Sequence, residues 1–189
     1  MRRILFLCLM ISTSSLVAQT RLKWNVPATL VLVPHIGVET VLGPKWTYQA
    51  DVAASFWESF KSYPIKAAVI SNEVKYYPKE SLKGFYLGPN LSGIGSFKIR
   101  KPFHKGYKAE KRYQTGFSIM MGLTGGYAFN VSSHLSLDVF AGGGFGQGFY
   151  KHYNGYTGER IDRPEGAPIN KTGEWWPVYR AGVMLGFKL

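Results

Sequence analysis

From Glu174 to Leu189 the chain alternates between two kinds of side chain. Trp175, Pro177, Tyr179, Ala181, Val183, Leu185, Phe187 and Leu189 share one parity and are almost wholly apolar. Glu174, Trp176, Val178, Arg180, Gly182, Met184, Gly186 and Lys188 share the other, which reads as the small, polar or charged face. A period of two with unlike faces marks a strand between two different surroundings. An apolar face with aromatics near both ends, backed by a small and charged one, is the pattern of a membrane barrel wall.

The same period predicts seven earlier strands: Leu22–Leu30, Ile36–Leu42, Trp46–Phe56, Ile65–Tyr77, Gly84–Phe97, Tyr113–Asn130 and Leu135–Phe149. The sixth is the clearest, with Phe117, Ile119, Met121 and Leu123 set against Gly116, Ser118, Gly122 and Thr124. Pro27, Pro89 and Pro177 fall inside expected strands. A proline cannot donate to a ladder, so a bulge or strand end is expected at each. Asn72 is a misfit on the outward parity.

Connections alternate in length. Gly43–Lys45, Pro78–Lys83 and Asn130–His134 are short. Of Val31–His35, Trp57–Pro64, Lys98–Arg112 and Lys151–Gly173 on the opposite end, all but the first are longer. Outward-parity aromatics sort by height into two girdles. Trp24, Trp46, Tyr76, Phe129 and Phe187 lie towards the short turns, and Phe56, Phe97, Tyr113, Phe149 and Trp175 towards the long loops. The expected fold is all-β: an eight-stranded antiparallel up-and-down transmembrane barrel over residues 19–189.

The N-terminus changes the picture by adding a destination. Arg2 and Arg3, the apolar run Ile4–Ile11 and the segment ending at Ala18 read as a signal peptide over residues 1–18, so export to the bacterial outer membrane is expected. The apolar run is too short for a membrane helix, and no later segment is long and apolar enough. The only cysteine, Cys8, lies in that segment, which leaves the mature chain no disulfide, thiol nucleophile or Cys metal site. Removing residues 1–18 lowers the formal charge from +12 to +10. A basic barrel suits an anionic envelope surface.

The inward parity holds Lys23, Glu39, Asp51, Glu73, Lys75, Asp138 and Arg180, with Lys188 at its end. Opposite signs in so narrow a lumen predict a charge network that closes it rather than a water-filled pore. The loop residues Lys98, Arg100, Lys101, Lys105, Lys108, Lys111 and Arg112, interleaved with Phe103, His104 and Tyr107, form a candidate site for anions or glycans. The expected partners are the lipid bilayer, lipopolysaccharide, the barrel-assembly machinery and a surface glycan or protein, with no nucleic acid.

No catalytic set, cofactor or metal site is expected. Gly142–Gly146 lacks the Lys-Ser/Thr ending of a phosphate loop. Glu159 and Asp162 sit in a loop, and the four histidines have no ligand spacing. His134-Leu135-Ser136 resembles the His-x-Ser pair of outer-membrane lipid A deacylases. Here it falls on the inward parity, where a lipid-facing hydrolase would not need it. The alternatives to a non-enzymatic barrel are that hydrolase and a soluble periplasmic ligand-binding barrel, which would need an apolar interior.

Lys23-Trp24-Asn25, Ile36-Gly37-Val38-Glu39, Lys45-Trp46-Thr47, Glu73-Val74-Lys75-Tyr76, Gly122–Tyr127 and Arg180-Ala181-Gly182-Val183 occur in this order. Over most of the mature chain this resembles domain of unknown function 3575, a family of small Gram-negative envelope proteins. Asn72 and Lys75 stand where that family commonly has proline and arginine. The resemblance implies an outer-membrane barrel and carries over no catalytic residues. The last strand also resembles the C-terminal signal read by the barrel-assembly machinery.

Overall fold

A computed structural model of the chain describes residues 19–60, 63–100, 111–164 and 166–189. The expected signal segment, residues 1–18, and loop residues Lys101, Lys105 and Lys108 lie outside them. The strands are β1 (Thr20–Trp24), β2 (His35–Gly43), β3 (Trp46–Phe60), β4 (Tyr63–Tyr76), β5 (Gly84–Ile99), β6 (Tyr113–Asn130), β7 (Leu135–Tyr153) and β8 (Asn170–Lys188). Each pairs antiparallel with the next, and β1 pairs with β8, so the sheet closes on itself. Among the described residues no helix is long and apolar enough to cross a membrane.

One end of the barrel carries the tight connections around residues 44–45, 77–83 and 131–134. It is called the turn end here, and the opposite one the loop end. At the turn end Tyr77, Tyr86, Ala128, Phe140 and Met184 form a small buried apolar cluster inside the ring. Asn72 finds a partner on the outer wall, where the Tyr48 hydroxyl donates to its Oδ1.

Three expectations are corrected. The first strand does not reach Leu30. It ends at Trp24, and a one-and-a-half-turn helix, α1 (Val26–Leu30), follows. Asn25 caps it by accepting from the Ala28 N–H, and Pro27 stands in its first turn, where the missing N–H costs nothing. Apolar alternation at Val26, Ala28 and Leu30 looks like a strand, but the Asn-x-Pro start decides for the helix. Second, the loop expected over Trp57–Pro64 is mostly ladder. Pairing of β3 with β4 continues to Phe60↔Tyr63, leaving residues 61–62 between the strands. Third, β8 begins at Asn170 rather than Glu174.

The three prolines resolve differently. Pro27 follows a strand end. Pro177 sits in an irregularity where Trp176 faces Gly144 and Arg180 faces Gly142, so Pro177–Tyr179 stand opposite Gly143 alone. Pro89 makes no bulge. The β5–β6 register runs through Pro89↔Leu123, whereas the β4 ladder skips from Glu73↔Asn90 to Tyr76↔Leu87.

Shortening β1 has a second effect. Its pairing with β8 covers only Arg21↔Lys188 to Trp24↔Leu185. Beyond Leu185, β8 continues to Asn170 with ladder partners on its β7 side only, among the described residues. Likewise β2 stops pairing with β3 at His35↔Ala53; the Ala54 N–H still donates to the Pro34 carbonyl at 3.0 Å, and β3 runs on to Phe60 with β4 as its one strand partner among the described residues. Among the described residues, the loop-end half of the ring therefore has a gap in its ladder between β8 and β3. Helix α1 lies against β8 and β2 at its base.

Candidate functional site: a charged plug beneath an apolar cup

The lumen is divided. In its turn-end half, alternation on β1, β2, β3, β4 and β7 aims Lys23, Glu39, Gln49, Lys75 and Asp138 at one another, each no more than 1% exposed. Lys23 Nζ lies 2.7 Å from Glu39 Oε2 and 2.9 Å from Asp138 Oδ2. Lys75 Nζ lies 3.0 Å from Asp138 Oδ2 and 3.5 Å from Glu39 Oε1, and donates to Gln49 Oε1 at 2.7 Å. Hydroxyls complete the shell. Thr47 and Tyr77 donate to Glu39 Oε1 at 2.7 and 3.0 Å, and Tyr86 donates to Asp138 Oδ1 at 2.8 Å. Both ammoniums and both carboxylates are thus paired and hydrogen-bonded, the condition for burying charge.

The remaining inward charges form a second tier. Asp51 accepts from Gln49 at 2.9 Å and meets His35 Nε2 at 3.0 Å and Arg180 Nη2 at 3.1 Å. Arg180 Nη1 approaches Glu73 Oε2 at 3.4 Å. All seven inward charges from the sequence therefore meet in one network. Lys188 does not join them and is exposed at the turn-end rim.

The charge does not fill the whole bore. Asn90 donates to Thr124 Oγ1 at 2.7 Å and accepts from the Tyr179 hydroxyl, forming a floor across the lumen. Tyr179 was expected on the outer face, and the irregularity at Pro177 turns it inward. Above this floor lies a cavity of about 400 Å³ between β5, β6, β7 and β8. Ile94, Met120, Trp176 and Val178 supply apolar lining, and Ser96, Gln114, Ser118, Thr172 and Glu174 are among its polar groups. A second cavity of about 320 Å³ lies against β3 and β4, lined by Ala67 and Val69 and by Val31 and Val33 from the chain after α1. The charged interior expected throughout thus holds for the turn-end half only.

On the outside, Trp24, Trp46, Tyr76, Phe129, Phe187, Phe56, Phe97 and Trp175 are exposed, and Tyr113 and Phe149 are half-buried by ring stacking on Tyr153 and Phe117. Of the basic loop set, Lys98 stacks over the Tyr113 ring at 4.9 Å and Lys111 over Tyr156 at 4.9 Å. Arg100 is buried and Arg112 half-buried. His134 and Ser136 are not brought together. Ser136 is buried and donates to the Gly186 carbonyl, while His134 is exposed beside the Ser133 hydroxyl.

The sequence did not single out the clamp in the last loop. Arg160 donates to both carboxylate oxygens of Asp162, at 2.8 and 3.3 Å, and to the carbonyls of Ala167 and Pro168 at 2.7 and 2.9 Å. Asn170 donates to Asp162 as well. Burial opposes ionisation of Asp162, but the guanidinium and amide outweigh it and hold the carboxyl well below the usual carboxylate range. A depressed carboxyl stabilises the ordered loop at every pH above its ordinary range, and that stabilisation is lost as pH falls through the depressed value. Limited proteolysis of the 154–169 loop should therefore be flat from neutral pH through the ordinary range and rise only in stronger acid. In Asp162→Asn the pH dependence should disappear. A parent profile that rises at ordinary carboxylate pH would refute the clamp.

The fold and interior define a class: an up-and-down barrel of eight antiparallel strands with a salt-bridged plug at one end. The chain belongs to the family described as protein of unknown function DUF3575, whose model matches residues 3–189. No curated protein and no solved structure matches it.

Proposed function

We propose that the chain is an outer-membrane barrel, exported by residues 1–18 and assembled by the barrel-assembly machinery, with a structural or surface-binding role and no catalysis. The observation that carries this reading is the inversion of the molecule. Leu22, Ile36, Leu91, Ile119, Met121 and Leu123 on the outer wall are 42–56% exposed, while Lys23, Glu39, Lys75 and Asp138 inside are at most 1% exposed. A soluble barrel would bury the first set and hydrate the second. So large a continuous apolar surface marks a hydrocarbon or protein partner.

In this orientation the loop end faces outward, and its cations Lys98, Lys111, Lys151 and Lys171 meet the anionic headgroups and glycans of lipopolysaccharide. The bore conducts nothing, because the plug spans it. The test is fractionation with gel mobility, boiled against unboiled, in detergent. The expected result is outer-membrane recovery with a heat-dependent shift. Recovery in the soluble periplasm without a shift would overturn the reading.

A further inference from the structure

We propose that the cavity above the plug binds one hydrocarbon chain of a lipid from the surrounding leaflet, admitted sideways through the gap between β8 and β3. The inference rests on the membrane reading above and adds a ligand class to it.

Four observations converge. First, the cavity has ligand dimensions. At about 400 Å³ it falls within the roughly 300–1,000 Å³ of small-molecule sites. Second, its chemistry selects the ligand. Ile94, Met120, Trp176 and Val178 line it beside uncharged polar groups such as Ser96, Gln114 and Thr172, no lysine or arginine does, and Glu174 is its one charged group. An anionic headgroup has no cationic partner there, whereas an alkyl chain meets Ile94, Met120, Trp176 and Val178. The Tyr179–Asn90–Thr124 floor separates that chain from the buried charges.

Third, the wall is open beside it. Among the described residues, the helix that replaces the upper part of β1, with the chain from Val31 to Pro34, is all that lies between β8 and β3 at the base of the loop-end half, and above it no described strand joins them. This opening is written into the sequence by the Asn25 cap and Pro27. Fourth, the opening has polar strand edges but is flanked by apolar side chains. Trp175 on β8 is 79% exposed and Phe56 on β3 is 69% exposed. Leu30 and Leu32, at the end of α1, are 78% and 70% exposed. Apolar side chains of the outer belt therefore reach the gap from both flanks. Apolar flanks are what a chain follows, since leaving them would hydrate methylenes.

The experiment is residue-resolved photocrosslinking of the full chain in dioleoylphosphatidylcholine vesicles. These are doped with a phospholipid carrying a diazirine at the end of one acyl chain. A second set of vesicles lacks that lipid and receives a free diazirine fatty acid from the bulk. The phospholipid should label outward residues such as Leu87 and Met121 and also the inward Ile94, Met120 and Val178. Gly148→Phe fills the cavity that Gly148 lines: a Cβ there would have the Ser118 Oγ at 3.3 Å as its nearest atom and the Thr172 carbonyl oxygen at 3.7 Å, so no backbone atom blocks it. That variant should lose the inward labels and keep the outward ones. Should it fail to give the heat shift, Val178→Trp fills the same space.

Inward labelling by the free fatty acid alone would keep a chain-binding cavity and overturn sideways entry. Outward labelling alone, from both probes, would overturn the inference and leave the membrane reading standing. No labelling on either parity would overturn both.

Discussion

Asp138→Ala should unfold in urea with about 3–5 kcal/mol less stability than the parent barrel, the cost of leaving buried charge without its partner. Asp138 is fully buried and stands at the crossing of the plug. It takes Lys23 at 2.9 Å, Lys75 at 3.0 Å and the Tyr86 hydroxyl at 2.8 Å. Without it, two buried ammoniums face the one carboxylate of Glu39, and water cannot reach either. The double variant Lys75→Met with Asp138→Leu should recover most of the loss. It leaves Lys23 paired with Glu39 and replaces the rest with apolar volume, which buried ion pairs tolerate. Equilibrium unfolding in vesicles, followed by tryptophan fluorescence, measures both. A single variant as stable as the parent would mean the plug is hydrated rather than dry.

Gly122→Ala should cost about 1–3 kcal/mol, the range for forcing volume into a packed site. Gly122 on β6 faces Gly144 on β7, and the two backbones approach closely. A Cβ on Gly122 would lie 2.0 Å from the Gly143 carbonyl oxygen and 2.9 Å from Gly144 Cα, so two strands must move apart. Gly93→Ala is the control. Nothing lies within 4 Å of its Cβ, and the substitution removes unfolded-chain freedom. It should be neutral or mildly stabilising in the same unfolding measurement. Equal losses at both sites would show that strand glycines matter here for some reason other than close approach.

The sequence made most of this barrel legible, because side-chain parity has a period of two and the ladders obey it outside a few irregularities such as the one at Pro177. It placed Lys23, Glu39, Asp51, Glu73, Lys75, Asp138 and Arg180 on one parity, and the fold brings all seven together. The cup was missed because parity states which way a residue points but not how high it sits. The signal was present in runs where both parities are apolar: Ala67-Ala68-Val69-Ile70 and Trp175-Trp176-Pro177-Val178. Such runs mark the height at which the lumen stops being polar. Trp176 and Val178 share their parity with Glu174, Arg180, Gly182 and Lys188, so the small and charged members dominate that face. The helix at Val26–Leu30 was hidden for a different reason. Five residues cannot distinguish the two periods by hydrophobicity, and only the capping chemistry of Asn25 and Pro27 separates them.

The seam between β1 and β8 holds four residue pairs, whereas β6 and β7 share eighteen. Every other pairing joins neighbours along the chain and can zip from its own turn, but the seam must join strands separated by almost the whole chain. Its closure entropy is accordingly the largest in the molecule, set against the fewest ladder bonds. Lys23 changes that balance. Lying on β1, it bonds at once to Glu39 on β2 and to Asp138 on β7, so the act that closes the ring also completes the plug. Ring closure and interior charge neutralisation are then one kinetic event. An assembling chain would hold Glu39, Lys75 and Asp138 open to water until the moment the two edge strands meet.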